Sequence, residues 1–304
     1  MRIFVTGASG HIGSLVVHEL LTHGHQVTGL ARSDASAAAL TAAGAAVVRG
    51  TLDDLDVLAS AAAEADGVAH LAFKHDFGDY AAAAEADLRA VEAMGAALAG
   101  SGRPFVTTSG TAVLALGGAA GAGSAEPSTE DTPVDPSAPR AASENATLAL
   151  AQRDVRASII RLAPTVHGPT DFHGFIPTLI AHARKTGAAI HVGDGANRWP
   201  AVDNRDAARL FRLAVESAPA GTRLHGAAEE GVPFRAIAQA IGERLDVPVI
   251  SVSAEEAIDQ LAFIGVVAAL DNPTSSATTQ RLLGWQPEHP SLLEDLAAAH
   301  YFEQ

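Results

Sequence analysis

The feature that most narrows the folds open to this chain is an alternation of two periodicities. Six short apolar runs, "RIFVTG", "HQVTGLAR", "AAVVRG", "GVAHLAF", "PFVTTSG" and "ASIIRLAP", recur between residues 2 and 164. Helical segments separate them, among them "IGSLVVHELLTHG", which ends on Gly24, and the long "DYAAAAEADLRAVEAMGAALAGSG". Parallel strands are joined only by crossovers, and a sheet that is apolar on both faces needs helices on both. The pattern therefore predicts an α/β fold, a Rossmann-type doubly wound parallel sheet. Beyond Gly168 it gives way to helices such as "FIPTLIAHARKTG", "NRDAARLFRLAVESA", "FRAIAQAIGERLD" and "LLEDLAAAHYF", with short strands "AAIHVG" and "PVISVS". That part predicts a smaller C-terminal α/β lobe packed against the strand ends. From Leu114 to Ala138, "LALGGAAGAGSAEPSTEDTPVDPSA" predicts a mobile surface loop after the fifth strand, either a lid over a site at the strand ends or a plain flexible insertion.

Composition sets bounds on partners. With 304 residues, 48% of them hydrophobic, a substantial core is available. There is no cysteine, so no disulfide, thiolate nucleophile or thiolate metal site, which fits a reducing compartment. A formal charge of −15 without clustered Lys or Arg argues against nucleic acid. The acidity serves solubility or favours a cationic small substrate. Neither a membrane span nor a signal peptide is visible, so a cytoplasmic location is expected.

The first run leads into "FVTGASGHIGSLVVHEL", with Gly7, Gly10 and Gly13 at a strand-to-helix junction. Gly7 permits a tight turn, Gly10 lets backbone approach a diphosphate, and Gly13 lets the helix lie close to the sheet. Ser9, His11 and Ile12 complete the turn, at a helix N-terminus whose free N–H groups favour an anion. At the end of the second run stand Ala31, Arg32 and Ser33, where a carboxylate would bind ribose hydroxyls. A guanidinium and a hydroxyl hold a 2′-phosphate instead, so NADP (NADPH) is predicted over NAD, with Asp34 as an opposing charge nearby. On this reading residues 1–168 form an NAD(P)-binding Rossmann domain and 169–304 a substrate-binding lobe, their segments free to interleave.

The TGxxGxxG spacing, Arg32, "RGTLDD" after the third strand, "IIRLAPTVHG" after the sixth and "WPAVDNRDAARL" in the lobe together resemble the extended short-chain dehydrogenases/reductases, the NAD(P)-dependent epimerases and dehydratases. The resemblance covers nearly the whole chain. It implies that Leu52 lies against the adenine, that Ala72 and Phe73 line the ribose, and that Pro164, Val166 and His167 approach the nicotinamide. Thr51 stands where many relatives carry an adenine-contacting Asp. A homodimer is also implied, through the helices after strands four and five.

Such enzymes use a Ser near the end of strand five and a Tyr-x-x-x-Lys pair on the next helix as a proton relay. Ser109 matches the Ser. The pair's slots fall at about Arg140 and Glu144. The chain's tyrosines are Tyr80 and Tyr301 and its lysines Lys74 and Lys185, so no Tyr is followed four residues later by Lys. The chain is thus similar to atypical members of the family that keep the cofactor turn without the usual relay. Arg140 and Glu144 form a helical i, i+4 pair, or Arg140 holds a substrate carboxylate or the nicotinamide ribose.

Losing a general acid costs about 10²- to 10⁴-fold, roughly 3 to 5 kcal/mol. Holding hydride donor and acceptor together contributes about 7 to 11 kcal/mol, so reduction survives, most readily with an iminium ion, enone or quinone. Substitute groups exist in "HLAFKHDFGDY", where Lys74, His75 and Asp76 follow the fourth strand. His75 is the candidate acid and Lys74 a substrate contact. Thr111, Arg140 and His173 are further substrate candidates, with Phe175 and Trp199 as apolar walls or ordinary core. Asp203 faces the crevice or caps the helix that follows it. No third ligand at a recognisable spacing joins His167 and His173, so no metal is expected. Three functions remain open: an NADPH-dependent reductase of a small carbonyl, imine or enone; a nucleotide-sugar epimerase or dehydratase; and a non-catalytic NADP-sensing protein.

Overall fold

The computed structural model describes residues 1–75, 79–116 and 126–303. Its central sheet contains β1 (Arg2–Thr6), β2 (Gln26–Ala31), β3 (Ala46–Arg49), β4 (Gly67–His70), β5 (Pro104–Gly110), β6 (Arg156–Leu162) and, returning late in the chain, β10 (Thr222–Gly226). The spatial order is β10-β6-β5-β4-β1-β2-β3, and every pairing is parallel. This is the predicted doubly wound Rossmann-type sheet. Because β1 runs on to β2 on one side while β4 lies on the other, the connections diverge above β1 and β4 and leave a crevice at their C-terminal ends.

Both faces are covered, as the apolar runs require. Helices α1 (His11–Thr22), α2 (Asp34–Ala42) and α8 (Asn204–Ser217) pack on one face, where Val16, Val17, Leu20 and Leu40 meet Phe211 and Val215. On the other lie α3 (Leu55–Glu64), α4 (Tyr80–Leu98) and α6 (Ala141–Ala149), with Leu58, Val91, Met94 and Leu98 packed around Phe105. The buried stripe of α4 runs Ala83, Ala84, Asp87, Ala90, Val91, Met94, Leu98, a helical spacing with one acid in it. The short α5 (Ala112–Leu116) follows β5. Among the described residues no helix is long and apolar enough to cross a membrane.

The lobe holds two small sheets. One has the order β11 (Glu229–Pro233), β9 (Arg198–Asp203), β7 (Thr165–His167), and the other pairs β8 (Ala189–Val192) with β12 (Val249–Val252). Helices α7 (Phe175–Thr186), α9 (Phe234–Leu245), α10 (Ala254–Leu261), α11 (Phe263–Ala268) and α13 (Leu292–Ala297) enclose its core around Trp199, Phe234 and Leu292. The remaining helix, α12 (Ala277–Leu283), leads to Trp285, which is buried with α8 in the sheet domain. With α8 and β10 built from chain beyond residue 200, sheet domain and lobe interleave along the sequence.

The mobile loop expected from Leu114 to Ala138 is corrected over its second half; residues 117–125 lie outside the described residues. Ser128 donates its N–H to Pro273 and accepts from Ser275, Glu130 is 4% exposed, and Val134 and Ala138 join Val113 and Leu114 in a small core. Composition misled because the segment's polar residues are buried with partners. The Glu130 carboxylate accepts both the N–H and the hydroxyl of Thr279 at 2.7 Å. Glu130→Ala leaves both donors buried and unpaired, so a urea midpoint lowered by the equivalent of about 1 to 3 kcal/mol is expected. An unchanged midpoint would mean the segment is not docked.

Candidate functional site

The glycine turn is held by close approach. Gly7 has φ +67°, and a Cβ on it would stand 2.8 Å from the Ala72 nitrogen. A Cβ on Gly13 would lie 2.0 Å from the Gly7 carbonyl oxygen, so no side chain fits there. Gly10 is the N-cap of α1, its N–H bonded to the Gly7 carbonyl at 2.9 Å, and no side chain caps the helix. The first-turn amides of His11, Ile12 and Gly13 therefore point from a helix N-terminus into the crevice, as a diphosphate requires.

Around this cradle the structure distributes the expected cofactor residues unevenly. Arg32 is exposed, and no described residue bonds its guanidinium. Ser33 is engaged as the N-cap of α2 in a reciprocal capping box with Ser36. Asp34, the opposing charge, is paired at the surface with Arg49 at 2.5 Å, which brings a second guanidinium to the end of β2. Leu52 is buried in the core beside β3. Ala72 and Phe73 are half-buried directly above Gly7, the Ala72 N–H held by the Thr6 hydroxyl at 3.1 Å. Among the described residues no cluster of three or more His, Asp or Glu could hold a metal ion.

The floor of the crevice is a buried chain of polar groups. The Thr6 hydroxyl meets His70 Nδ1 at 2.6 Å, and His70 Nε2 lies 3.2 Å from Asp87 Oδ1. Arg140 Nη2 donates to Asp87 Oδ2 at 3.1 Å and to the Thr108 carbonyl at 2.6 Å, and its guanidinium lies 4.3 Å above the Phe73 ring. Burial alone would raise the Asp87 carboxyl, but the Arg140 charge and the His70 contact outweigh it and bring it down to about 2. The i, i+4 pairing of Arg140 with Glu144 is therefore corrected. Glu144 instead takes Arg161 of β6, which donates from Nε at 3.1 Å and Nη2 at 2.7 Å, both residues at most 2% exposed. Each buried charge has found a partner on another element, where desolvation makes pairing matter more than across one exposed helix turn.

Among the buried donors with no hydrogen-bond partner among the described residues are the Ser109 hydroxyl, in a residue 5% exposed, and Arg140 Nε. They are neighbours in the fold, because Arg140 bonds the carbonyl of Thr108, the residue before Ser109. Buried donors left unpaired cost stability, and they are what a ligand's oxygen would satisfy. The glycine turn at the start of α1, with its uncapped first-turn amides, fits the diphosphate of a nicotinamide dinucleotide.

Other expected residues sit elsewhere. Lys74 is tied to Asp53 at 2.7 Å. His75 is exposed at the crevice edge against Phe73; desolvation by surrounding protein, then the Arg140 charge, moves it below its ordinary value, which weakens it as an acid at neutral pH. Asp76 lies outside the described residues. Thr111 is fully buried and accepts from Asn272 at 3.0 Å. Pro164 and Val166 are half-buried after β6, whereas His167 is buried with Nδ1 2.9 Å from Asp295. His173 is exposed, Phe175 half-buried, and Trp199 wholly buried with its indole N–H on the Val267 carbonyl at 3.0 Å, a core residue. Asp203 caps α8 and pairs with Arg205.

Several site residues escaped the sequence reading. His70 and Asp87 carried a signal, each a polar residue within an apolar pattern, one closing a buried strand and one on the stripe of α4. Asp171 carried none: it lies 3.2 Å from His11 in the glycine turn, accepts from Gly174 N–H, and receives the Tyr301 hydroxyl at 3.1 Å. Burial and then the Asp171 carboxylate push the Tyr301 phenol up, so it stays a donor.

The model of the NAD dependent epimerase/dehydratase family matches residues 3–225. The chain is 51% identical to the uncharacterized protein C2A9.02 of Schizosaccharomyces pombe, over 99% of this chain and 100% of that protein. It is 42% identical to the uncharacterized protein YLL056C of Saccharomyces cerevisiae, over 98% of each. Among solved structures it is similar to DesIV, the dTDP-glucose 4,6-dehydratase of Streptomyces venezuelae with NAD and TYD bound, at a TM-score of 0.79 and 22% identity, covering 100% of this chain and 97% of that one.

The depressed Asp87 carboxyl fixes a pH dependence. Its folded value of about 2 lies below the ordinary 3.8, so its contribution is complete above pH ~4 and fades as pH falls toward 2. The stability gap between wild type and Asp87→Asn, from urea melts, should shrink by roughly 2 kcal/mol between pH 5 and pH 2. A gap that stays constant across that range would refute the charge network.

Proposed function

Since the chain belongs to the NAD dependent epimerase/dehydratase family, we propose that it is an NADPH-dependent oxidoreductase that adds hydride to a small, partly apolar carbonyl, imine/iminium or enone compound. The observation that carries this reading is the pair of unpartnered buried donors, Ser109 Oγ and Arg140 Nε, at the crevice end of β5. The bound cofactor supplies hydride from its nicotinamide. Backbone amides of the glycine turn, Gly10 to Gly13, would hold its diphosphate, and Arg32, beside the surface pair of Asp34 with Arg49, would hold the 2′-phosphate.

The chain's residues then act on the substrate. Ser109 donates to the oxygen or nitrogen that becomes negative, and Arg140, anchored by Asp87 and Thr108, places positive charge beside it. In the net reaction a carbonyl takes hydride at carbon and a proton, ultimately from water, at oxygen. An iminium needs hydride alone. Phe73 and Phe175, both half-buried, provide apolar walls. A second reading, favoured by the family itself, is a nucleotide-sugar epimerase or dehydratase, in which the cofactor is not consumed. The slots at Arg140 and Glu144 count against it, because both reactions need repeated proton transfer.

The test is NADPH oxidation with a carbonyl and imine panel. Ser109→Ala should lower kcat by about 10²- to 10³-fold with NADPH affinity unchanged. Arg32→Ala should weaken NADPH binding in calorimetry while leaving NADH binding alone. Cofactor retained without net oxidation would favour the epimerase reading; cofactor binding without turnover of any substrate would favour a sensor.

A further inference from the structure

Four half-buried aromatic rings cross the crevice mouth. Phe73, above the glycine turn, lies 5.5 Å from Tyr80 at the start of α4; Tyr80 stacks on Phe263 of α11 at 5.3 Å and 14°; Phe263 meets Phe175 of α7 at 6.5 Å. Two rings come from the sheet domain and two from the lobe, and all four keep partial exposure, unlike Trp199 and Phe234 behind them, which are at most 1% exposed. Arg140 faces Phe73 from the floor.

The position of Phe263 is built at a cost. Ala262 joins α10 to α11 with φ 51° and ψ −125°, a conformation that side chains with a Cβ rarely adopt. Gly265 completes the corner, since a Cβ there would stand 2.1 Å from the Ala257 carbonyl oxygen. The residue that follows this corner, Phe263, stacks on Tyr80.

We propose that Phe263 is a specificity-determining residue of a slot, formed with Phe73, Tyr80 and Phe175, that selects flat conjugated substrates over puckered ones of equal size. The inference rests on the reductase reading only in taking this crevice as the substrate site. Flat faces stack on rings in offset or edge geometry, whereas a saturated ring gains burial without it.

The probes are benzaldehyde and cyclohexanecarbaldehyde, matched in size. Ligand-observed NMR on the NADP⁺-saturated protein gives their affinities, and NADPH oxidation gives their KM. Wild type should prefer benzaldehyde in both. Phe263→Leu should cut that preference about three- to tenfold with NADP⁺ affinity unchanged, and Phe263→Tyr should restore it. Should Phe263→Leu fail to fold by thermal melt, Ala262→Gly, which keeps the ring and relaxes its support, should melt no lower than wild type and lose part of the preference. Binding preference without turnover would uphold the slot and sink the reductase reading. No preference in wild type, or a preference untouched by these variants, would sink the slot, whether or not turnover occurs.

Discussion

The structure depends on one distance that leaves no room. With 2.0 Å between the Gly7 carbonyl oxygen and the place a Gly13 Cβ would occupy, the start of α1 touches the turn that leaves β1. Only bare backbone fits, so the helix begins directly over the strand end and its unpaired amides face the crevice. The other side of the turn is also closed, because a Cβ on Gly7 would stand 2.8 Å from the Ala72 nitrogen. The turn, the first helix and the residues just past β4 are thus in direct backbone contact.

From that unit a line of polar contacts runs inward. Thr6 holds the Ala72 N–H and His70, His70 contacts Asp87, and Asp87 anchors Arg140. The members come from β1, β4, α4 and the start of α6, so the glycine turn and the crevice floor share a support. A carboxylate 1% exposed is tolerable only with such company. The same rule explains Glu144, whose buried charge is cancelled by Arg161 across the α6–β6 contact.

The fold was legible because its signals are local: apolar runs, amphipathic spacers and a glycine turn each occupy a few consecutive residues. The cradle was legible for the same reason. The crevice floor was not, since Arg140 and Asp87 are 53 positions apart and only the fold brings them together. Helical spacing pointed Arg140 at Glu144, yet burial made distant partners decisive. Lys74 and Trp199 resembled site residues in type but are spent on Asp53 and on the lobe core. The segment through Glu130 had the composition of a loop while its acid is a buried acceptor. Composition reports what a residue prefers on average, and a buried polar residue with partners is the exception it misses.

On the proposed reductase reading, Arg140 also bears on the kind of chemistry the crevice performs. A phenol beside a lysine can lend and recover a proton, which serves reactions that need transfer in both directions. A guanidinium keeps its protons and offers fixed positive charge. That favours a step in which negative charge grows on a substrate atom and is quenched later by water, or one in which an iminium's positive charge is removed by hydride and no acid is needed. Asp87, paired with Arg140 at 3.1 Å, fixes where that positive charge sits. On the proposed reductase reading, such a floor suits a neutral or weakly polar acceptor rather than a carboxylate, and discrimination falls to the rings above it.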